Sequence, residues 1–177
     1  MRKPVAKPEK ALTPSLAEHS PMRPDSILIR PARPADAEAI QRLYEALAPN
    51  PAIRVLPERI AQVDADPNTE LLVAEVEGSV QGAALLTLCL DVMFQNQPFA
   101  VLENVVVAPA CRGQGVGSAL FTRLEAIAWE RNCSKLMLLS SASRSEAHAF
   151  FERLGYDGSA KRGFVKYRRA LGGAAKR

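Results

Sequence analysis

Three observations predict a single α/β domain built on a mixed sheet with helices on both faces. Apolar residues recur along the chain with strand-like and helix-like periods in alternation. The most β-branched run, Val105-Val106-Val107, passes through Pro109 into a glycine-rich turn and then directly into an amphipathic helix. The length of 177 residues, with 47% hydrophobic content, suits one core and leaves little room for two.

The folded part is expected to begin at Ile27. Five prolines (Pro4, Pro8, Pro14, Pro21 and Pro24) of the 13 in the chain fall in residues 1–26 with scarcely any periodic apolar pattern, so this stretch reads as a disordered basic tail, with Met22 as an alternative start. Ile27-Leu28-Ile29 before Arg30-Pro31 reads as a strand. Asp36 caps a helix that carries Ile40, Leu43, Tyr44 and Leu47 at helical spacing and stops before Pro49 and Pro51. A second short helix covers 57–63. Segments 70–77 and 80–92 form a hairpin around Glu77-Gly78-Ser79. Beyond Pro98, 99–108 is the central strand, and 116–131 is a helix with Leu120, Leu124, Ile127 and Ala128 on one face. A strand at 135–139 follows, then a helix at 145–154 ended by Gly155 as a left-handed cap. Phe164 to Tyr167 closes a sheet of about six or seven strands. The domain is expected to span 27–169, and 170–177, with Gly172-Gly173-Ala174-Ala175, to be a flexible tail.

The turn after the central strand is where a ligand is expected. Gly113, Gly115 and Gly117 let the backbone approach a ligand closely, and the helix that follows leaves its first amides unpaired at its positive end. A phosphate or pyrophosphate is the natural occupant. The pattern is Arg112-x-x-Gly115-x-Gly117. It lacks the Gly-Lys-Ser/Thr ending of a nucleoside triphosphate loop, and it lacks both the glycine spacing and the acidic ribose partner of a dinucleotide fold.

Charge and cysteine content narrow the class. The formal net charge is +4, but much of the excess sits at the two ends, so the core is near balance and a nucleic-acid partner is not expected. No window approaches the roughly 18 apolar residues of a membrane span, and the amino terminus lacks a secretory leader. Cys89, Cys111 and Cys133 are odd in number and far apart, which fits neither a disulfide framework nor a metal site. Reduced thiols and a cytoplasmic location are the expectation.

The loop, together with Ile29-Arg30-Pro31-Ala32-Arg33-Pro34-Ala35-Asp36, Leu102-Glu103-Asn104-Val105-Val106-Val107 and Ala147-His148-Ala149-Phe150-Phe151-Glu152-Arg153-Leu154-Gly155-Tyr156, resembles the GNAT superfamily of N-acetyltransferases from about Ile27 to Arg169. The resemblance implies acetyl-coenzyme A as cosubstrate and no metal. It implies that the backbone of Val105, Val106 and Val107 pairs with the pantetheine arm where two central strands splay apart. Arg112, Gly113, Gln114, Gly115, Val116, Gly117 and Ser118 would then hold the pyrophosphate, mostly through amides. It also implies a homodimer, since dimers are common in that superfamily.

The chemistry expected is acyl transfer to a primary amine, most simply that of a small molecule. Protein lysines or amino termini are the alternative acceptors, and a non-catalytic acetyl-coenzyme A sensor is the alternative role. An alkylamine with pKa about 10.4 must lose a proton first, and Glu103, two residues before Val105 in an apolar strand, is the candidate base, with partial burial expected to suit it to proton acceptance. The family's usual acid is a tyrosine at the position of Phe151, which has no proton to give, and its usual asparagine is replaced by Arg144. Tyr156 is the next candidate acid, followed by His148 and by Ser140, Ser141 and Ser143. The acceptor side is expected to be lined by the first two helices, residues 91–98 and the final strand.

Overall fold

Apolar runs along four successive segments produce the body of a five-stranded sheet among the described residues: β1 (Ile27–Pro31), β2 (Thr69–Val76), β3 (Ser79–Cys89), β4 (Phe99–Val107) and β5 (Leu136–Leu138), in that spatial order. The computed structural model describes residues 27–171, so the tail expected at 1–26 lies outside the described residues. β1 to β4 pair antiparallel and β5 runs parallel to β4, which makes the sheet mixed as expected. β2 and β3 are joined by Glu77 and Gly78, both at positive φ (50° and 76°), the primed-turn geometry that matches strand twist.

The period-2 pattern divides the sheet into two apolar faces. Leu72, Leu86 and Leu102 on one face pack against Leu120, Phe121 and Leu124 of α3 (Val116–Glu130). Val73, Ala83 and Val106 on the other pack against Ile40 and Leu43 of α1 (Ala37–Leu47) and Ile60 of α2 (Pro57–Asp64). Each such fully buried side chain contributes roughly 1.5–3 kcal/mol of transfer free energy. Gly82 allows α3 to lie close to β3, because a Cβ there would come within 3.1 Å of Leu120 and 3.2 Å of Val116. Phe121 is the hub for α4 (Ser145–Arg153): its ring sits 5.5 Å from Phe150, 5.6 Å from Phe151 and 5.6 Å from Tyr156. Among the described residues, no helix is long and apolar enough to cross a membrane.

Two expectations about the sheet are corrected. β3 ends at Cys89 rather than continuing to residue 92, because its last partner is Phe99, where β4 starts. Residues 164–167 form no strand, so among the described residues the sheet has five strands rather than about six or seven, and β5 is an edge. The aromatic and β-branched residues there supply strand propensity without a partner. The expected tail from residue 170 begins inside a short helix, α5 (Arg168–Leu171), while 172–177 lies outside the described residues.

Asp36 does not cap α1 through its side chain. It closes a 3-10 turn over Pro34–Asp36 by accepting from the Arg33 amide (2.7 Å) and receives both Nη1 and Nη2 of Arg30 (2.7 and 3.0 Å). Arg30 Nε is bound in turn to Glu75 Oε2 at 2.8 Å, which ties β1, β2 and the start of α1 together. Arg30 beside Asp36 holds this carboxyl below its ordinary value, against the opposing effect of burial. A depressed folded-state pKa stabilises the fold above the unfolded value of about 3.9 and loses that stabilisation as pH falls through the folded value. Asp36→Asn is therefore expected to lower stability at neutral pH by roughly 1.5–3 kcal/mol, the worth of charge-assisted hydrogen bonds. It should also flatten the acid limb of stability below about pH 4, and denaturant titrations from neutral to acid pH read both effects.

Candidate active site

A bulge in β4 sets the geometry of the site. Ala83 pairs with Val106 and Leu85 with Glu103, so Asn104 and Val105 together oppose Ala84. Asn104 sits at φ 54°, a left-handed conformation that asparagine tolerates better than most residues. The extra residue reverses the alternation. Leu102 belongs to the α3 face, whereas Val106 turns into the α1 face, and Val105 and Val107 pack toward α3. β5 pairs with β4 only from Ala100 to Leu102. Beyond that point the strands part, and the β5-facing edge of Glu103 to Val107 has no strand partner among the described residues.

The gap opens into a cleft of about 850 Å³. Its walls include Val105, Val106 and Val107 on β4, the glycine loop, the start of α4, and Ala46 and Leu47 at the end of α1. Of the elements expected on the acceptor side, the end of α1 contributes to this cleft, α2 and residues 91–98 do not, and residues 164–167 form no strand.

The loop delivers amides where the sequence places them. Gly113 and Gly115 have φ 73° and 87°, and Gly115 is the residue before α3. Ala119 makes the first bond of the helix, to Gly115 O at 2.9 Å, so the amides of Val116, Gly117 and Ser118 precede the helical ladder. Gly117 serves a different purpose: it is the Phe150 ring, 3.1 Å from where a Cβ would stand, that needs the space. Val116 buries its side chain in the core, and Gln114 turns to donate to Ala110 O at 2.8 Å, so neither is among the cleft-lining residues. Arg112 lines the cleft, with its Nε donating to Val107 O at 3.3 Å. Arg112, Arg144 and Arg153 against the single carboxylate of Glu146 make the lining positive. Arg153, stacked 5.9 Å from the Phe150 ring centroid, escaped the sequence reading, although it follows Phe150 at the three-residue spacing that shares a helix face.

The candidate proton carriers are placed unevenly. Phe151 lines the cleft, so the family's tyrosine position faces it without a hydroxyl. Tyr156 is outside the lining. Its Oη is buried with no hydrogen bond closed, and burial, with Glu125 nearby, pushes the phenol above its ordinary value. His148 Nε2 lies 3.0 Å from Ser141 O, which requires that nitrogen to carry a proton and donate. Ser143 is at the cleft, 3.1 Å from Ser141 through their hydroxyls. Glu103 stands at the bulge but is exposed, so the partial burial expected of it is absent. Strand alternation from Leu102 sets it on the α1 face, opposite the α3 core.

Residues 37–156 match the model of the acetyltransferase (GNAT) family. The chain belongs to that family, and its fold is the family's. It is similar to an uncharacterized N-acetyltransferase of Chlorobaculum tepidum, 27% identical over 128 residues that cover 72% of this chain and 74% of the relative. Among solved structures it is similar to a protein of Agrobacterium tumefaciens assigned as an acetyltransferase, with TM-score 0.73 and 30% identity over 80% of this chain and 99% of the other. A transcriptional regulator from Bacillus halodurans is also similar, with TM-score 0.69 and 26% identity over 80% and 99% of the two chains.

The splayed edge, the unladdered amides and the positive lining suit an extended, anionic coenzyme A. Gly115→Glu should weaken coenzyme A binding in calorimetry by tenfold or more, about 1.4 kcal/mol, by placing a carboxylate at the helix N-terminus. Gly115→Asn, which tolerates positive φ, should retain most of the affinity and so separates charge from backbone strain.

Proposed function

We propose that the chain is an acetyl-coenzyme A-dependent N-acetyltransferase that modifies the primary amine of a small molecule by direct attack on the thioester. The observation that carries this reading is one cleft in which the unpaired edge of β4 leads directly to the N-terminus of α3. The edge offers amides and carbonyls to an extended amide-containing arm, and the helix start offers amides to a pyrophosphate. A single helix terminus stabilises an anion by roughly 0.3–1 kcal/mol when exposed, so several convergent amides and the three cleft arginines have to act together.

Bound acetyl-coenzyme A supplies an activated acyl group with a thiolate leaving group. Amides of β4 beyond Leu102 are the donors available to the acyl oxygen. Glu103 is the base in this proposal, and its exposure favours proton acceptance through water. With phenylalanine at position 151 and the Tyr156 hydroxyl buried outside the cleft, the neutral amine adds to the thioester carbonyl and the leaving sulfur takes the proton that remains on the nitrogen of the tetrahedral intermediate as the C–S bond breaks, with no dedicated acid. The site lies in the cytoplasm in this reading, in keeping with free thiols at Cys89, Cys111 and Cys133.

A second reading, a non-catalytic sensor of acetyl-coenzyme A, draws support from Phe151 and from the similarity to the Bacillus halodurans regulator. Acetyl-coenzyme A calorimetry followed by thiol release against amino sugars, polyamines, aminophosphonates, amino acids and lysine peptides separates the two. Turnover of a small amine supports the enzyme, whereas tight binding with no turnover across the panel supports the sensor. Glu103→Gln is expected to lower kcat by about 10²- to 10⁴-fold, with coenzyme A affinity unchanged. Kinetics equal to wild type across pH would remove Glu103 from proton transfer.

A further inference from the structure

The α1 face of the sheet is covered on one side and open on the other. The core beneath α1 and α2 takes Val73 from β2, Ala83 from β3 and Val106 from β4. Leu85, Val101 and Met137 belong to neither core among the described residues. Each of the three stands between two residues that pack in the α3 core, so alternation turns all three to the α1 face. The pairing register joins them into one surface: Leu85 lies opposite Glu103, and Val101 lies between Thr87 on β3 and Met137 on β5. Side chains paired in this way stand about 5 Å apart. An apolar floor therefore runs back along β4 from Glu103, and it ends about 13 Å away at Phe99. There the Lys135 ammonium sits 4.6 Å from the Phe99 ring centroid and closes the floor with a cation.

The near end of the floor meets the coenzyme cleft. Glu103 is exposed at the bulge, two residues before Val105 of the cleft lining. A body rich in hydroxyls, laid on Leu85, Val101 and Met137, would give up water without gaining hydrogen bonds. An anionic group would meet the Glu103 carboxylate, whereas an ammonium is complementary to it. Resting on the acetyl transfer proposed above, we infer that the acceptor is a primary amine with an apolar body, alkyl or arylalkyl, lying on Leu85, Val101 and Met137 with its nitrogen at Glu103. Glu103 attracts the ammonium before it accepts the proton. The floor sorts acceptors by the apolar area they bury, and Lys135 limits how long that body can be.

Thiol release at saturating acetyl-coenzyme A is measured against ethylamine, butylamine, hexylamine and phenylethylamine, beside glucosamine and aminoethylphosphonate. kcat/KM should rise about two- to fourfold with each added methylene, and hexylamine and phenylethylamine should exceed both hydrophilic amines by about tenfold or more. Turnover of the hydrophilic amines with a flat alkyl series overturns the inference and leaves the proposed acetyl transfer standing, whereas no turnover of any amine overturns both. Leu85→Gln with Met137→Gln should flatten the alkyl series, bringing hexylamine within about threefold of ethylamine, while acetyl-coenzyme A affinity and circular dichroism remain those of the wild type. A folded variant that lowers every amine alike makes the two side chains structural and rejects the floor. A variant that loses its fold leaves the wild-type series to decide. A flat wild-type series with a doubled solution mass, returned to monomer by the two glutamines, gives the face to a second copy of the chain and overturns the inference.

Discussion

The site depends on one constraint: β4 must be held on one edge by β3 and left free on the other beyond Leu102. Backbone groups deprived of partners in a closed interior cost roughly 1–3 kcal/mol each, so a sheet cannot part in its middle unless the gap admits solvent or an extended ligand. Here the gap opens into the cleft, and two devices keep it from closing. The bulge at Asn104 turns the strand and reverses its faces. The aromatic contacts of Phe150 and Phe151 with Phe121 seat α4 beside α3 at the same cleft.

The charge distribution follows from that arrangement. The starts of α3 and α4 both contribute to the lining, and the cleft arginines come from the loop, from the residue before α4 and from its last turn. Their side chains are exposed or lightly engaged, with Arg112 held only by a 3.3 Å contact to a carbonyl. The buried ionic capacity of the molecule is placed elsewhere, in Arg30, Asp36 and Glu75, where it fastens the chain entering α1 to the sheet. The fold thus separates an ion cluster satisfied internally from the arginines of the cleft, which stay exposed.

Local patterns carried most of the legible information. The glycine loop could be read from sequence because positive φ at Gly113 and Gly115 and the start of α3 are set by neighbours within a few residues. The same holds for the Glu77-Gly78 turn and for the left-handed Gly155 after α4. Asp36 misled because its spacing is that of a helix cap, while its partner Arg30 lies on the preceding strand. Glu103 lies on β4 where its spacing puts it, whereas its exposure is decided by what packs over it. Tyr156 fits a motif by its position, yet it packs against Phe121 with its hydroxyl buried and does not line the cleft.

The sequence by itself determined the element order as far as α4, the glycine turn before α3 and membership of a mixed α/β class, because periodicity, turn chemistry and helix starts are short-range properties. Tertiary structure alone decided where β4 and β5 part, that Gly117 yields space to Phe150, that Arg153 joins the cleft, and that Phe164 to Tyr167 stays off the sheet. Those outcomes depend on pairings between residues far apart in the chain, where the same strand or helix propensity is compatible with several partners and only packing selects among them.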